Sequence, residues 1–211
     1  MADATRILAI RHGQTAWNAA GRIQGHTDIP LDDLGEWQAE RLAQALADDE
    51  VHAIVASDLQ RARQTAAPLA RAKGLPLQLD AGLRERGFGD FEGLSFAQIE
   101  QRWPDQALAW KRRDPDFGAR GGEVLRDFRE RVVAAVERLA LAYRGQCVAL
   151  VTHGGVLDLL YREATRLALD APRTWQLANA GINRLLHSAQ GLTLVGWADV
   201  SHLEAEPGLN R

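Results

Sequence analysis

Short apolar runs, separated by polar or glycine-rich stretches, are the clearest pattern along the chain. Most of these runs carry few polar residues, which is typical of strands that are buried on both faces of a sheet. They predict strands at 6–10, 53–56, 77–79, 147–151, 182–187 and 192–197. The chain therefore contains enough strand for a central sheet.

Amphipathic segments fall between the strands and predict helices. After a first helix that starts near residue 31, further helices are predicted at about 59–73, 123–143 and 156–169. Asp32 or Asp33 is the expected N-cap of the first helix, and Ser57 and Asp58 can cap the second, because a short polar side chain can accept a hydrogen bond from the first turn.

Units of strand, loop and helix follow one another, which indicates a sheet built by right-handed crossovers. We expect an α/β fold: a three-layer sandwich with a mostly parallel central sheet, helices on both faces and a small helical lid or insertion. The lid is assigned to 95–122, where Trp103, Pro104 and Trp110 break the regular pattern. No linker divides the chain, so one domain is expected over 1–211.

Composition places the chain among ordinary globular proteins and changes the picture little. It has 211 residues, 46% hydrophobic and 25% charged, and its single Cys147 allows no internal disulfide and forms no zinc motif. No secretory leader and no membrane span are evident in the sequence. We therefore expect a soluble, cytoplasmic protein without a membrane partner.

The charge balance excludes one class of partner. The formal net charge is −3, whereas a general nucleic-acid binder shows a basic stripe. Only Lys73 and Lys111 among the 25 basic residues are lysines. A composition rich in arginine is mostly a property of the genome, but single arginines at the right places grip phosphate or carboxylate with two hydrogen bonds.

Polar loops follow three of the predicted strands. Arg11 and His12 end the first, Ser57 leads to Arg61 after the second, and His153 and Gly154 follow the fourth. Ligands of open α/β sheets bind outside the carboxyl ends of the strands, where helix N-termini also point. Two imidazoles, two guanidiniums and free backbone N–H groups suit a tetrahedral dianion, which makes a phosphoryl group the natural ligand.

At these residues the chain resembles a known family. Arg11-His12-Gly13 is similar to the signature of the histidine phosphatase superfamily, in the branch that contains cofactor-dependent phosphoglycerate mutases and related phosphatases. The resemblance continues in the same order through blocks at 8–18, 22–31, 57–66, 83–93, 151–155 and 197–203. It therefore covers nearly the whole chain.

The resemblance implies a role for each residue of the site. His12 would be the nucleophile that forms a phosphohistidine, and Arg11, Arg61 and His153 would hold the phosphoryl oxygens. Glu85 would protonate the leaving alcohol and later activate water, with Glu92 as the competing carboxylate. Arg84 and Arg86 flank Glu85 and are expected on the opposite side of the extended segment. The implied substrate contacts are Asn18, Gln24, Gly25 and Gly154.

Two alternatives to a metal-independent phosphomonoesterase without a cofactor stay open: a cofactor-dependent phosphoglycerate mutase and a non-catalytic phosphate-binding protein. The stretch between Gly93 and Gly121 is short and lacks tyrosine, unlike the insertion of the mutases, so we favour hydrolysis of a small phosphorylated metabolite. The sequence does not identify that metabolite. A homodimer is the candidate assembly. The candidate cations for contact with the substrate are Lys111, Arg112, Arg113 and Arg120.

Overall fold

The computed structural model describes residues 3–204, and its centre is one six-stranded sheet. The strands are β1 (Thr5–Arg11), β2 (Ala53–Ala56), β3 (Leu77–Leu79), β4 (Cys147–Thr152), β5 (Ile182–Ser188) and β6 (Gly191–Asp199). Their order is β3-β2-β4-β1-β5-β6, with the first four parallel and antiparallel pairing only at β1–β5 and β5–β6. The predicted α/β fold with a mostly parallel sheet is confirmed.

Helices cover both faces of this sheet. They are α1 (Ala16–Ala19), α2 (Asp33–Ala45), α3 (Gln60–Lys73), α4 (Phe96–Arg102), α5 (Pro104–Lys111), α6 (Leu125–Ala142) and α7 (Gly154–Thr165). Strand residues alternate between the faces, so Ile7 packs in the core with α6 and α7, whereas Leu8 packs in the core with α2 and α3. The result is three layers with one core on each side of the sheet.

Two predicted helix starts differ from the structure. Helix α7 begins at Gly154 rather than at residue 156, with His153 as its N-cap, because its first two residues are glycines and add nothing to the hydrophobic pattern. Helix α3 has Leu59 as its N-cap and no capping side chain. The Ser57 hydroxyl, expected to cap it, lies within hydrogen-bond distance of His153 instead.

The segment between β3 and α6 forms a small core of its own. Helices α4 and α5 bury Ile99 and Ala107 against Phe91, and the rings of Trp103 and Trp110 pack around that phenylalanine. The segment thus contains the short helices expected of it, and its action as a lid stays a prediction. Within 3–204 no helix is both long enough and apolar enough to cross a membrane.

Candidate active site

A cavity of about 610 Å³ opens where the parallel strands end. Its wall includes most of the residues that the sequence pointed to: Arg11, His12, Asn18, Gln24, Gly25, Arg61, Glu85 and Gly154. His153 is fully buried and lies beside His12, with 5.2 Å between the ring centroids. We call the part formed by Arg11, His12, Arg61 and His153 the inner end.

His12 is held by the backbone around it. Its amide donates to the Thr152 carbonyl at 2.8 Å, and its own carbonyl accepts from Asn179 Nδ2 at 2.9 Å. The ring is 2% exposed, and Nδ1 lies 2.7 Å from the Gly13 carbonyl oxygen. Since a carbonyl can only accept, Nδ1 carries the proton and Nε2 keeps its lone pair.

His153 is oriented by Ser57, which stands at the end of the neighbouring strand. Its Nε2 lies 2.8 Å from Ser57 Oγ, and its Nδ1 is buried without a hydrogen-bond partner. A neutral ring that accepts from the hydroxyl at Nε2 has its proton on Nδ1. Beside His12, His153 therefore has one ring nitrogen, Nδ1, that no group of the protein binds.

The two guanidiniums of the inner end also have unused donors. Arg61 gives two hydrogen bonds to the loop before α2, to Gly25 O at 2.8 Å and Thr27 O at 3.0 Å, and Arg11 binds the Leu177 carbonyl. The Nε of each is buried and unpartnered. Burial lowers the pKa of both side chains, yet a guanidinium stays protonated in proteins. An anion at the inner end would supply the missing acceptors.

The same surroundings keep the imidazoles neutral. Burial, and after it the charges of Arg11 and Arg61, holds the pKa of His12 well below 6.5. The pKa of His153 is also well below 6.5, again mainly through burial and then through Arg61. A neutral imidazole with a free Nε2 is the reactive form of a nucleophilic histidine.

Glu85 reaches the cavity from the loop between β3 and α4. Its Oε2 accepts from the Gly155 amide at 2.9 Å and its Oε1 from the Arg86 amide at 2.9 Å. Gly155 is required there because a Cβ on it would lie 2.1 Å from Glu85 Oε1. The carboxyl group is thus seated at the N-terminus of α7, next to His153.

Arg131 on α6 fixes the loop that carries Glu85. Its guanidinium donates to the carbonyls of Gly82 (3.0 Å), Arg84 (3.1 Å) and Glu85 (3.2 Å). Glu123 pairs with Arg131 and accepts from the Gly87 amide. Burial opposes ionisation of Glu123, but these hydrogen bonds outweigh it and lower its pKa. The loop that carries Glu85 is therefore anchored to a core helix.

Glu92, the competing carboxylate, is committed to structure. Its oxygens accept from the amides of His26, Thr27 and Phe88 and from the Thr27 hydroxyl. These bonds overcome the effect of burial and lower its pKa. Glu92 does not line the cavity, so Glu85 is the better placed of the two carboxylates.

Asn18 and Gln24 are held through their oxygens. Asn18 Oδ1 lies 3.1 Å from the Thr15 amide and hydroxyl, and Gln24 Oε1 lies 3.0 Å from the same hydroxyl. Both side chains line the cavity. With the oxygens occupied, the amide NH₂ groups are the parts that remain for a ligand.

One expectation about the flanks of Glu85 is wrong. Arg84 does point away and pairs with Asp58 at 2.6 Å, but Arg86 is buried and lines the cavity with Glu85. The segment is not a regular strand, because Arg86 is drawn inward by the carbonyls of Phe117 and Glu123. Burial lowers the pKa of Arg86 to about 10.

The sequence does not predict how the part of the cavity away from His12 is built. Of the four candidate cations near the lid, only Arg113 lines the cavity. It meets Asp158 of α7, which also binds Arg162, and Trp175 lies under Arg162 with 4.8 Å from the guanidinium carbon to the ring centroid. We call Arg113, Asp158, Arg162 and Trp175 the distal corner. No sequence motif singled out Trp175 or Asp158.

A metal site is not apparent in the part of the chain that the structure describes, where no three His, Cys, Asp or Glu side chains are grouped to hold an ion.

Comparison with known proteins agrees with this geometry. The family model of the histidine phosphatase superfamily (branch 1) matches residues 7–200. Phosphoglycerate mutase-like protein 4 of Arabidopsis thaliana is 36% identical over 207 residues, 96% of this chain and 88% of the relative. The metal-independent phosphoserine phosphatase of the same plant is 34% identical over 212 residues, 99% and 87% of the two chains.

A solved structure is similar over most of its length. Mycobacterial glucosyl-3-phosphoglycerate phosphatase, in complex with VO3, superimposes with a TM-score of 0.82 at 33% identity, covering 91% of this chain and 98% of that one.

Proposed function

The chain belongs to the histidine phosphatase superfamily and is a metal-independent phosphoric monoester hydrolase, and we propose that His12 is its nucleophile and a small phosphorylated acid its substrate. The observation that carries the proposal is the pair of buried, unpartnered guanidinium donors beside His12: Nε of Arg11 and Nε of Arg61. Charge-assisted hydrogen bonds from such donors are the strong ones, and phosphoryl oxygens are suitable acceptors.

The first chemical step is an in-line displacement at phosphorus. The lone pair of His12 Nε2 forms a bond to phosphorus while the bond to the ester oxygen breaks, and the leaving oxygen takes a proton from the Glu85 carboxyl group. The products are phosphohistidine and a free alcohol. The Gly13 carbonyl, bound to Nδ1, stabilises the positive charge that the ring acquires.

The second step returns the enzyme to its starting state. Water attacks phosphorus, Glu85 accepts the proton of that water, and the bond from phosphorus to Nε2 breaks, which releases inorganic phosphate. Throughout both steps the inner end stabilises charge on the phosphoryl oxygens with donors that are already in place. The amide of Gly154 adds the partial positive charge of a helix N-terminus.

The cavity wall beyond the inner end favours a second negative charge on the substrate. Arg86, Arg113 and Arg173 all line it, against the carboxylates of Glu85 and Asp158. Relatives named for phosphoserine and for glucosyl-3-phosphoglycerate act on esters that carry a carboxylate. A small phosphorylated acid therefore fits both ends of the cavity.

The test is phosphate release together with trapping of the intermediate. The protein, with EDTA present, is incubated with p-nitrophenyl phosphate and with small phosphorylated acids, and an acid-labile, base-stable phosphoprotein is sought. His12→Ala should lose turnover by at least about 10⁴-fold, as expected when a nucleophile is removed, and should form no phosphoprotein.

His187→Ala is the matched control, since His187 pairs with Thr5 at the opposite end of β1 from His12; it should keep both signals. Phosphoprotein in His12→Ala would remove His12 from the role of nucleophile. Conversion of 3-phosphoglycerate to 2-phosphoglycerate, in place of phosphate release, would favour a mutase. One relative of this chain, phosphoglycerate mutase-like protein 4, has a name that refers to this activity. Absence of both reactions would favour a binding protein.

A further inference from the structure

His26 donates a hydrogen bond to the loop that carries Glu85. Its Nε2 lies 2.8 Å from the Glu85 carbonyl oxygen, and since a carbonyl can only accept, that nitrogen carries the proton. The side chain of His26 is 38% exposed, and it does not line the cavity. His26 therefore contacts the acid of the proposed mechanism without forming part of the wall that faces a substrate.

The Glu85 carbonyl belongs to the same peptide group as an amide that holds the carboxylate. Peptide groups are planar, so the direction of the Glu85 C=O fixes the direction of the Arg86 N–H. This N–H donates to Glu85 Oε1 at 2.9 Å. A donor on the carbonyl also polarises the peptide group and strengthens the bond that its N–H makes. The ring of His26 thus acts on the Glu85 carboxyl group through one peptide group.

Two donors reach this carbonyl from separate elements. Arg131 Nη2 donates from α6 at 3.2 Å, and His26 Nε2 donates from the loop before α2 at 2.8 Å. Arg131 also donates to the carbonyls of Gly82 and Arg84, so it anchors the loop as a whole. Loss of the His26 ring should therefore leave the loop attached to α6 but allow the Glu85 peptide group to tilt.

The backbone on either side of His26 is fixed by hydrogen bonds. Arg61 donates to Gly25 O at 2.8 Å and to Thr27 O at 3.0 Å. Glu92 accepts from the His26 amide at 3.0 Å and from the Thr27 amide at 2.9 Å. Gly25 has a φ of 56°, and a Cβ on it would lie 2.0 Å from Glu92 Oε1, so glycine is needed for this approach. The partly exposed ring of His26 is therefore presented from a rigid backbone.

We propose that His26 is a positioning residue for the acid step: it holds the Glu85 carboxyl group in reach of the leaving oxygen and links that group to Arg61, which holds the phosphoryl group. The link runs from the Arg61 guanidinium through the carbonyls of Gly25 and Thr27 to the His26 ring and the Glu85 peptide group. This inference rests on the proposed function, in which Glu85 gives a proton to the leaving oxygen.

Esters with different leaving groups give the first test. His26→Ala should lower kcat/KM for 3-phosphoglycerate and O-phosphoserine about tenfold, the upper end of what one hydrogen bond contributes. For p-nitrophenyl phosphate kcat/KM should stay within about twofold, because nitrophenolate leaves without a proton. The inhibition constant of inorganic phosphate should not change, since the inner end keeps its donors. Equal losses for both kinds of ester, or weaker inhibition by phosphate, would overturn the inference.

Rescue and control variants identify the hydrogen bond as the cause. His26→Gln keeps an N–H donor and should bring kcat/KM for the two acids to within about threefold of wild type. His26→Phe keeps a ring but has no donor, and it replaces His26→Ala if that variant does not fold. His52→Ala is the matched control, since His52 is 32% exposed and bonds only a backbone amide, that of Cys147, at the opposite end of the sheet; it should keep wild-type rates. A loss in folded His26→Gln as large as in His26→Ala would exclude the hydrogen bond.

A double-mutant cycle shows whether His26 acts through Glu85. In Glu85→Gln, which has no acidic proton to give, the addition of His26→Ala should lower kcat/KM for the two acids by less than about twofold more. A further tenfold loss would show that His26 acts elsewhere and would overturn the inference. If the wild-type protein hydrolyses the esters and His26→Ala does so at the same rates, only the role of His26 fails. If the wild-type protein hydrolyses none of them, the proposed function itself fails.

Discussion

The inner end and the distal corner of the cavity are built in different ways. His12 and His153 stand at the ends of adjacent parallel strands, and β1 and β4 stay in register from Arg6 and Cys147 to Arg11 and Thr152. The distal corner joins side chains from the end of the lid segment, the middle of α7 and the segment before β5. The backbone of the sheet positions the inner end, whereas side-chain contacts between distant segments hold the distal corner.

A change at Glu85, which lies beside the inner end, should affect esters according to their leaving group and not according to their acid group. Glu85→Gln should lower kcat about 10²- to 10⁴-fold for alkyl phosphates and much less for p-nitrophenyl phosphate, whose leaving group needs no proton. Steady-state kinetics with both ester types measures this, and Glu100→Gln on α4 is a control at an exposed glutamate.

Equal losses for the two ester types would remove Glu85 from the role of acid. A fall in kcat that depended on the acid group of the substrate would show that the two regions do not act separately.

A change in the distal corner should affect esters according to their acid group and not according to their leaving group. Trp175 stacks on Tyr161 with 4.0 Å between ring centroids and supports Arg162 from below. Trp175→Leu removes that support, worth about 1 kcal/mol in comparable pairs, and should raise KM for phosphorylated acids by about fivefold at nearly constant kcat.

Trp37→Leu on α2, outside the cavity, should leave KM unchanged. A fall in kcat for p-nitrophenyl phosphate in Trp175→Leu would show that the two regions do not act separately.

The smallest effect concerns pH and tests the inner end alone. A histidine with an ordinary pKa near 6.5 would be half protonated at that pH, and its activity as a nucleophile would be halved. Because burial and the charges of Arg11 and Arg61 lower the pKa of His12, the acid limb of kcat/KM should lie below pH 6.5. Between pH 7.5 and 6.5 the activity should therefore fall by much less than the roughly 45% that a histidine with an unshifted pKa would lose.

An NMR titration of the His12 ring checks the assignment directly. Ring signals whose midpoint lies at or above pH 6.5 would contradict the neutral nucleophile that the buried surroundings imply.

The two regions also differ in how far the sequence predicts them. His12 and His153 follow apolar runs, and such runs predict strands whose carboxyl ends meet, so their proximity follows from local pattern and general topology. Arg113 and Asp158 are 45 residues apart and share no motif. Their pairing depends on how the lid segment packs on α7, which no periodicity in either segment reports.

Two predictions from the sequence, the start of α7 and the side on which Arg86 lies, are wrong for physical reasons. The hydrophobic pattern predicts the start of α7 at residue 156, because Gly154 and Gly155 lack side chains. The missing side chain at Gly155 leaves room for the Glu85 carboxyl group beside the helix. Strict alternation along the segment predicts Arg86 on the side away from the cavity. The segment is not a regular strand, and Arg86 turns inward to donate to the carbonyls of Phe117 and Glu123.

Close backbone packing around the loop that carries His12 determines which positions can be mutated to change the substrate range. A Cβ on Gly13 would lie 2.5 Å from the Gly35 oxygen, and one on Gly35 would lie 2.0 Å from the Gln14 oxygen. Neither glycine can be replaced alone, so the loop of His12 tolerates almost no variation. The distal corner has no such contact and relies on replaceable side chains. Libraries for new substrates should therefore vary 113, 158 and 175 and leave the glycine pair untouched.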